Sequence, residues 1–294
     1  MATVTEIPPR IGRRNWFVVV LGVLAAFVRG RRADVGQRAS RLSPRHGRDG
    51  QRLRSPPFDG DHSLSSGREV TVRARTGGRS HTAVARRRWA TLVAPAAVPL
   101  TMSAVFAVLG RCLPARPAHV AGFGVYWTVW CAAFPLWVLG RDGALQALRA
   151  GRRLQPAEIA VLALPVVGAV GTELLPRRHL VDRRVAAVML GAAAVNAVGE
   201  ELLWRATFLA RFPDDEVRGA VWPLVGFILW HLAPQIVRPS ARGRPAMLAG
   251  SAVVGAASTV VSWRCGGVRP VVVPHLLTDA CGVRVARFWL GRPA

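Results

Sequence analysis

The sequence contains no lysine: all 40 basic residues are arginine, set against 16 acidic residues for a net charge of +24. Missing lysine, together with abundant Ala, Gly, Pro and Val, is the mark of a GC-rich coding bias. The resulting pI of about 11.9 is therefore not by itself a sign of nucleic-acid binding, and no nucleic-acid partner is expected. Cysteine is scarce. Cys112, Cys131, Cys265 and Cys281 form no CxxC pair, which argues against a disulfide scaffold and a structural zinc knuckle. Hydrophobic residues, by contrast, make up 51% of the 294 residues. That is too apolar for two soluble domains or for disorder over the whole length.

The charge is unevenly placed. Residues 1–88 hold 19 Arg, six acidic residues and one short apolar run, Trp16–Val28. From Arg29 to Arg88 there are 16 Arg among Gly, Ser, Pro and His, without sustained periodicity. Such a segment cannot bury enough apolar surface to offset its chain entropy, so residues 1–88 are expected to be a basic, mostly disordered arm. Two readings of the arm stand open: binding to anionic lipid headgroups, or a solvated tail or overlong gene start without a role. Trp16–Val28 is shorter than the ~20 residues of a membrane span and is followed by no clean small-x-small cleavage site.

Residues 89–294 read as an all-α, polytopic membrane bundle. Trp89–Gly110 runs 22 residues without a charge, and Ala118–Gly140 runs 23. Both can cross a ~30 Å hydrocarbon core at about 1.5 Å per residue. Ala157–Leu175, Val185–Arg211, Gly219–Val237, Ala246–Trp263 and Pro270–Leu290 are similar but carry polar residues, giving about seven expected spans. Short, Arg-rich breaks such as Pro176–Arg184 favour antiparallel neighbours. No internal repeat supports an inverted-repeat transporter. Arginine counts near the span ends are almost equal on the two sides, and only the basic arm tips the orientation, towards a cytoplasmic N-terminus. The expected location is a bilayer, the plasma membrane of a bacterium.

Polar residues inside the spans carry the chemistry. Glu158 and Glu173 lie at span ends, where water is in reach; Glu200, Glu201 and Asp279 lie deeper, as do His231 and His275. Charges at such depth cost several kcal/mol and face a bundle interior or a wet cavity. In the run Asn196-Ala-Val-Gly-Glu200-Glu201-Leu-Leu-Trp-Arg205, neighbouring side chains diverge by about 100°. Glu201 and Arg205 are i,i+4 and can pair. Glu200 points elsewhere without that partner, and an unpaired carboxylate in a semi-apolar cavity suits a general base near neutral pH. The bland alternative is polar glue between helices. His231 lies one turn after Phe227, as a ligand or as a satisfied core histidine. His275 and Asp279 are again i,i+4, a site or a local hydrogen bond. Depth discriminates. Counted from the loops around 212–218 and 264–269, Glu200, His231 and His275 all fall roughly 10–20 Å from one membrane face. A shared wet cavity requires such agreement; chance scatter does not.

These three runs resemble a known family. Glu200-Glu201-Leu-Leu-Trp-Arg205 resembles the EExxxR motif of the CAAX-processing and bacteriocin-processing (CPBP) intramembrane proteases, relatives of the type II CAAX prenyl endopeptidases. Phe227-Ile-Leu-Trp-His231 resembles their FxxxH, and His275-Leu-Leu-Thr-Asp279 their HxxxN. The order also agrees, each motif on its own span, over roughly residues 150–290. The resemblance implies a polytopic helical protease acting on a membrane-associated peptide or protein. Glu200 would activate water, and His231 would position that water or stabilise the oxyanion. His275 and Asp279 would complete the site, supported by Glu201, Arg205 and Phe227. The third motif departs from the family, with Asp279 in place of Asn: an Asn amide can donate to an oxyanion, an ionised Asp cannot. His231, His275 and Asp279 are also a workable zinc set, so metal-free and zinc-dependent chemistry both remain open. The second function class is a non-catalytic immunity or scaffolding protein on the same fold.

Overall fold

The computed structural model describes residues 77–293, and residues 1–76, which hold most of the expected arm and the run Trp16–Val28, lie outside them. Every regular element among the described residues is helical. The first helix, α1, covers Gly77–Cys112. It begins upstream of the run Trp89–Gly110, so residues 77–88, assigned above to a disordered arm, are helical. Once a helix is nucleated, each further residue adds one hydrogen bond that offsets the cost of fixing its backbone. Five more helices follow: α2, Ala115–Arg149; α3, Pro156–Leu180; α4, Arg183–Arg211; α5, Val217–Ile236; and α6, Arg244–Cys265. With α1, these are six helices long and apolar enough to cross a membrane among the described residues, matching six of the seven expected spans.

The seventh expected span is broken. Pro270–Leu290 divides into α7, Arg269–Asp279, and α8, Val283–Trp289. Eleven residues reach about 16 Å, half of a ~30 Å hydrocarbon core. The chain turns at Ala280–Gly282, where the Gly282 N–H bonds back to the Asp279 carbonyl. The break leaves Asp279 at a helix end rather than in mid-helix.

Helix ends follow local chemistry. α3 starts with a reciprocal capping box between Gln155 and Glu158, with Pro156 in the first turn. Asp182 caps α4, its carboxylate accepting from the N–H groups of Arg184 and Val185 at 3.0 and 2.9 Å. The Val185 N–H, with Arg292 alongside, holds that carboxyl below its ordinary range. α6 ends at Gly266, whose φ of 69° is the left-handed conformation that stops a helix. Glu158 corrects an expectation. It sits at a span end but is buried, paired with Arg152 at 2.5 Å rather than simply wetted.

Large apolar side chains such as Leu100, Leu164, Val167, Leu190 and Val273 point outward. In α3 only 11% of the most apolar stretch is buried inside the protein. Such surface would be costly in water and costs nothing in lipid, so this is a multi-pass integral membrane protein. The interior is built around α4, which packs against α7, α8 and the middle of α2, while α1 lies along α5. Small residues permit the close approaches. A Cβ on Gly199 of α4 would stand 2.6 Å from that of Cys131 on α2.

Candidate active site

α4 changes its winding where the acidic pair sits. Leu202–Ala206 forms a π-turn directly after Glu201. A π-turn inserts an extra residue into the turn and is common at functional sites. Its effect is visible in burial: Leu203, Trp204, Arg205, Ala206, Thr207 and Phe208 are all buried, more than one face of a regular helix presents to a core. A second π-segment, Tyr126–Ala133, interrupts α2 opposite it.

These two irregular turns, with Trp230 of α5, hold Glu200. Its Oε1 accepts from the Tyr126 hydroxyl at 2.9 Å and from the Trp230 indole N–H at 2.9 Å. The Trp204 indole N–H in turn donates to the Tyr126 oxygen at 2.9 Å. Tyr126 and Trp230 are stacked, with centroids 3.6 Å apart. One carboxylate oxygen is thus fully engaged. The other, Oε2, is buried with no hydrogen-bond partner among the described residues and lies 3.4 Å from His275 Nε2.

His275 is enclosed by carboxylates. Its Nδ1 lies 2.7 Å from Glu201 Oε1, and its Nε2 lies 3.4 Å from Glu200 Oε2 and 3.5 Å from Asp279 Oδ2. Ionised carboxylate oxygens only accept hydrogen bonds, so Nδ1 directs its hydrogen to Glu201, while Nε2 faces the two more distant acidic oxygens of Glu200 and Asp279 without a hydrogen bond to either. Glu201 also meets Arg205 Nη1 at 3.3 Å, the expected i,i+4 pair. The Arg205 guanidinium covers the Phe227 ring at 4.3 Å, and its Nη2 donates to the Gly255 carbonyl at 3.3 Å. Pairing, stacking and a backbone acceptor together offset the burial of this charge.

His231 makes its hydrogen bond outside that cluster. Its Nδ1 lies 2.7 Å from the Phe227 carbonyl, and its ring meets the Phe227 ring edge-on at 4.9 Å. A carbonyl only accepts, so Nδ1 carries the hydrogen, and a neutral ring leaves Nε2 as an acceptor. Among the described residues His231 makes no hydrogen bond or ion pair with the acidic cluster.

The ligand set expected from sequence is accordingly different. Glu200, His275 and Asp279 offer donor atoms within 4.8 Å of one another, and His231 is not among them. One imidazole and two carboxylates suit a divalent cation with an open position.

Sequence reasoning missed the residues that hold these groups. Tyr126, Trp204 and Trp230 orient Glu200. Asn196 Nδ2 donates to Asp279 Oδ2 at 2.8 Å, and the Trp127 indole N–H donates to Asn196 Oδ1 at 2.9 Å. One signal was present: Tyr126 is the single tyrosine of the chain and lies within a span, where a hydroxyl needs a partner.

Residues 182–281 match the family model described as type II CAAX prenyl endopeptidase Rce1-like. No curated protein and no solved structure matches the chain. The matched segment runs from the cap of α4 to the end of α7, and so contains Glu200, Glu201, His231, His275 and Asp279. Residues 182–281 are thus similar to the Rce1-like domain of the type II CAAX prenyl endopeptidases.

Proposed function

We propose that this chain is an intramembrane endopeptidase in which Glu200 activates a water molecule against a peptide carbonyl. The observation that carries this reading is the division of the Glu200 carboxylate. Tyr126 and Trp230 hold Oε1, while Oε2 remains buried, without a hydrogen bond, beside His275. A general base must be positioned before it is basic, and this one is fixed by two donors from two other helices.

In the proposed reaction Glu200 Oε2 takes a proton as the water oxygen attacks the carbonyl carbon. The carbonyl π-pair becomes an oxyanion. The proton held by Glu200 then passes to the amide nitrogen as the oxyanion re-forms its C=O bond and the C–N bond breaks, releasing an amine and a carboxylic acid, whose proton then goes to the amine. A neutral His231, with its Nδ1–H committed to the Phe227 carbonyl, suits holding the water through Nε2. His275, between Glu200, Glu201 and Asp279, is the group suited to meet developing negative charge, and fixed donors in a site shielded from water are worth several kcal/mol to a transition state. Arg205 and Phe227 hold Glu201 in register beneath it. The substrate is a membrane-associated peptide or protein, met within the bilayer of a bacterial plasma membrane. Glu200, His275 and Asp279 would also hold a zinc ion, which supplies Lewis-acid polarisation when bound; the proposed route assigns Glu200 to the proton instead.

The test compares the new protein termini in membranes carrying wild type or Glu200→Gln at equal abundance. The expected result is at least one terminus present only with wild type. Identical sets would favour the non-catalytic reading on the same fold.

A further inference from the structure

The site contains a second line of hydrogen bonds that the proposed reaction does not use. Trp127 Nε1 donates to Asn196 Oδ1 at 2.9 Å, Asn196 Nδ2 donates to Asp279 Oδ2 at 2.8 Å, and the same Asp279 oxygen lies 3.5 Å from His275 Nε2. From this line we infer that Asn196, aligned by Trp127, is a positioning residue that sets the Asp279 carboxylate against His275. The inference rests on the endopeptidase reading above.

Three observations support it. First, the orientation of the Asn196 amide follows from chemistry. An indole N–H is a donor only, so the atom facing Trp127 must be the amide oxygen, and the NH₂ group must face Asp279. Second, Asp279 needs the help. It is the last residue of α7, where unpaired carbonyls and the helix dipole disfavour a carboxylate, and Glu200 and Glu201 also converge on His275. A donor aimed at Oδ2 offsets that repulsion and selects one rotamer. Third, the two lines share one origin. Tyr126 and Trp127 are adjacent in the π-segment of α2, and they contact Glu200 and Asn196, one turn apart on α4. A single irregular turn therefore sets the base through one residue and the Asp279 carboxylate through the next.

The test is a mutant cycle on purified full-length protein with a peptide substrate taken from the terminus comparison. Asn196→Ala is expected to lower kcat about tenfold with KM within about twofold, because a misplaced group costs turnover rather than binding. Trp127→Phe, which keeps an aromatic ring and removes the N–H, should fall in the same direction by less. Asn196→Asp sets two carboxylates against each other and should cost more than tenfold beside Asp279. In an Asp279→Asn background the same change restores an amide-to-carboxylate contact, with the carboxylate still able to accept from Trp127. There it should cost less than about twofold. This background dependence measures coupling directly, and a merely structural role would not produce it. Equal cost of Asn196→Asp in both backgrounds, or kcat within twofold of wild type for Asn196→Ala, overturns the inference. A wild type whose products match those of Glu200→Gln overturns the endopeptidase reading itself. Activity lost in Glu200→Gln but kept in Asn196→Ala overturns the inference alone.

Discussion

Two adjacent glutamates differ because their neighbours differ. Glu200 takes both its hydrogen bonds from neutral donors, Tyr126 and Trp230, and meets His275 only at 3.4 Å, whereas Glu201 sits between the guanidinium of Arg205 and, at 2.7 Å, the imidazole of His275. Removing one member of a buried ion pair strands the other at a cost of roughly 3–5 kcal/mol. Glu201→Gln should therefore lower the thermal midpoint and the abundance of the membrane protein, whereas Glu200→Gln should accumulate normally and lose turnover. Thermal scans and cleavage assays on both variants check this division; equal stability and equal activity loss would contradict it. Asp279 is decided at the same scale. Under the proposal that its contacts to Asn196 and His275 make it an orienting group, Asp279→Asn should lower activity modestly, about tenfold or less, and chelator or added zinc should change neither protein. Loss of wild-type activity on chelation, restored by zinc, would instead make Glu200, His275 and Asp279 metal ligands.

Irregular elements carry the site. The motif around Glu200 was expected on a regular helix, where the 100° rule separates Glu200 from Glu201. That expectation holds up to Glu201, and the π-turn at Leu202–Ala206 then turns Trp204 inward as well, giving Tyr126 its donor. α4 and α2 must lie close for this, and Gly199 permits it. Gly199→Val would drive side-chain atoms into Cys131, whose Cβ stands 2.6 Å from the position of a new Cβ. Overpacking of this kind costs about 1–3 kcal/mol. A lowered thermal midpoint is expected, with turnover lost by displacement of Tyr126. Gly191, in the same helix, has open space around a new Cβ. Gly191→Ala should be neutral or stabilising, since alanine is the better helix former by about 1 kcal/mol.

At the scale of the whole molecule, a lipid-facing shell surrounds a polar centre made by four separate helices. α2 brings Tyr126 and Trp127, α4 brings Asn196, Glu200, Glu201 and Arg205, α5 brings Phe227, Trp230 and His231, and α7 brings His275 and Asp279. α1 packs along α5 but contributes none of these residues. A chain beginning at Gly77 keeps every described helix and should insert and retain activity. A chain beginning at Trp89 loses the first twelve residues of α1 and should be less stable. Membrane fractionation and cleavage at matched abundance distinguish these outcomes. Fold class and six spans were legible in the sequence because lipid imposes one local requirement, about 20 apolar residues per crossing with every backbone bond made internally. The pairing of Glu201 with Arg205 was legible because helical spacing is local too. The broken seventh span was not, since its composition is apolar enough and the turn after Asp279 depends on packing. Nor were the partners of Glu200 or the three carboxylates around His275. These are contacts between helices far apart in the chain, and the angular phase and depth at which helices meet are set by interdigitating side chains and close backbone approaches, which exist only once the bundle has assembled.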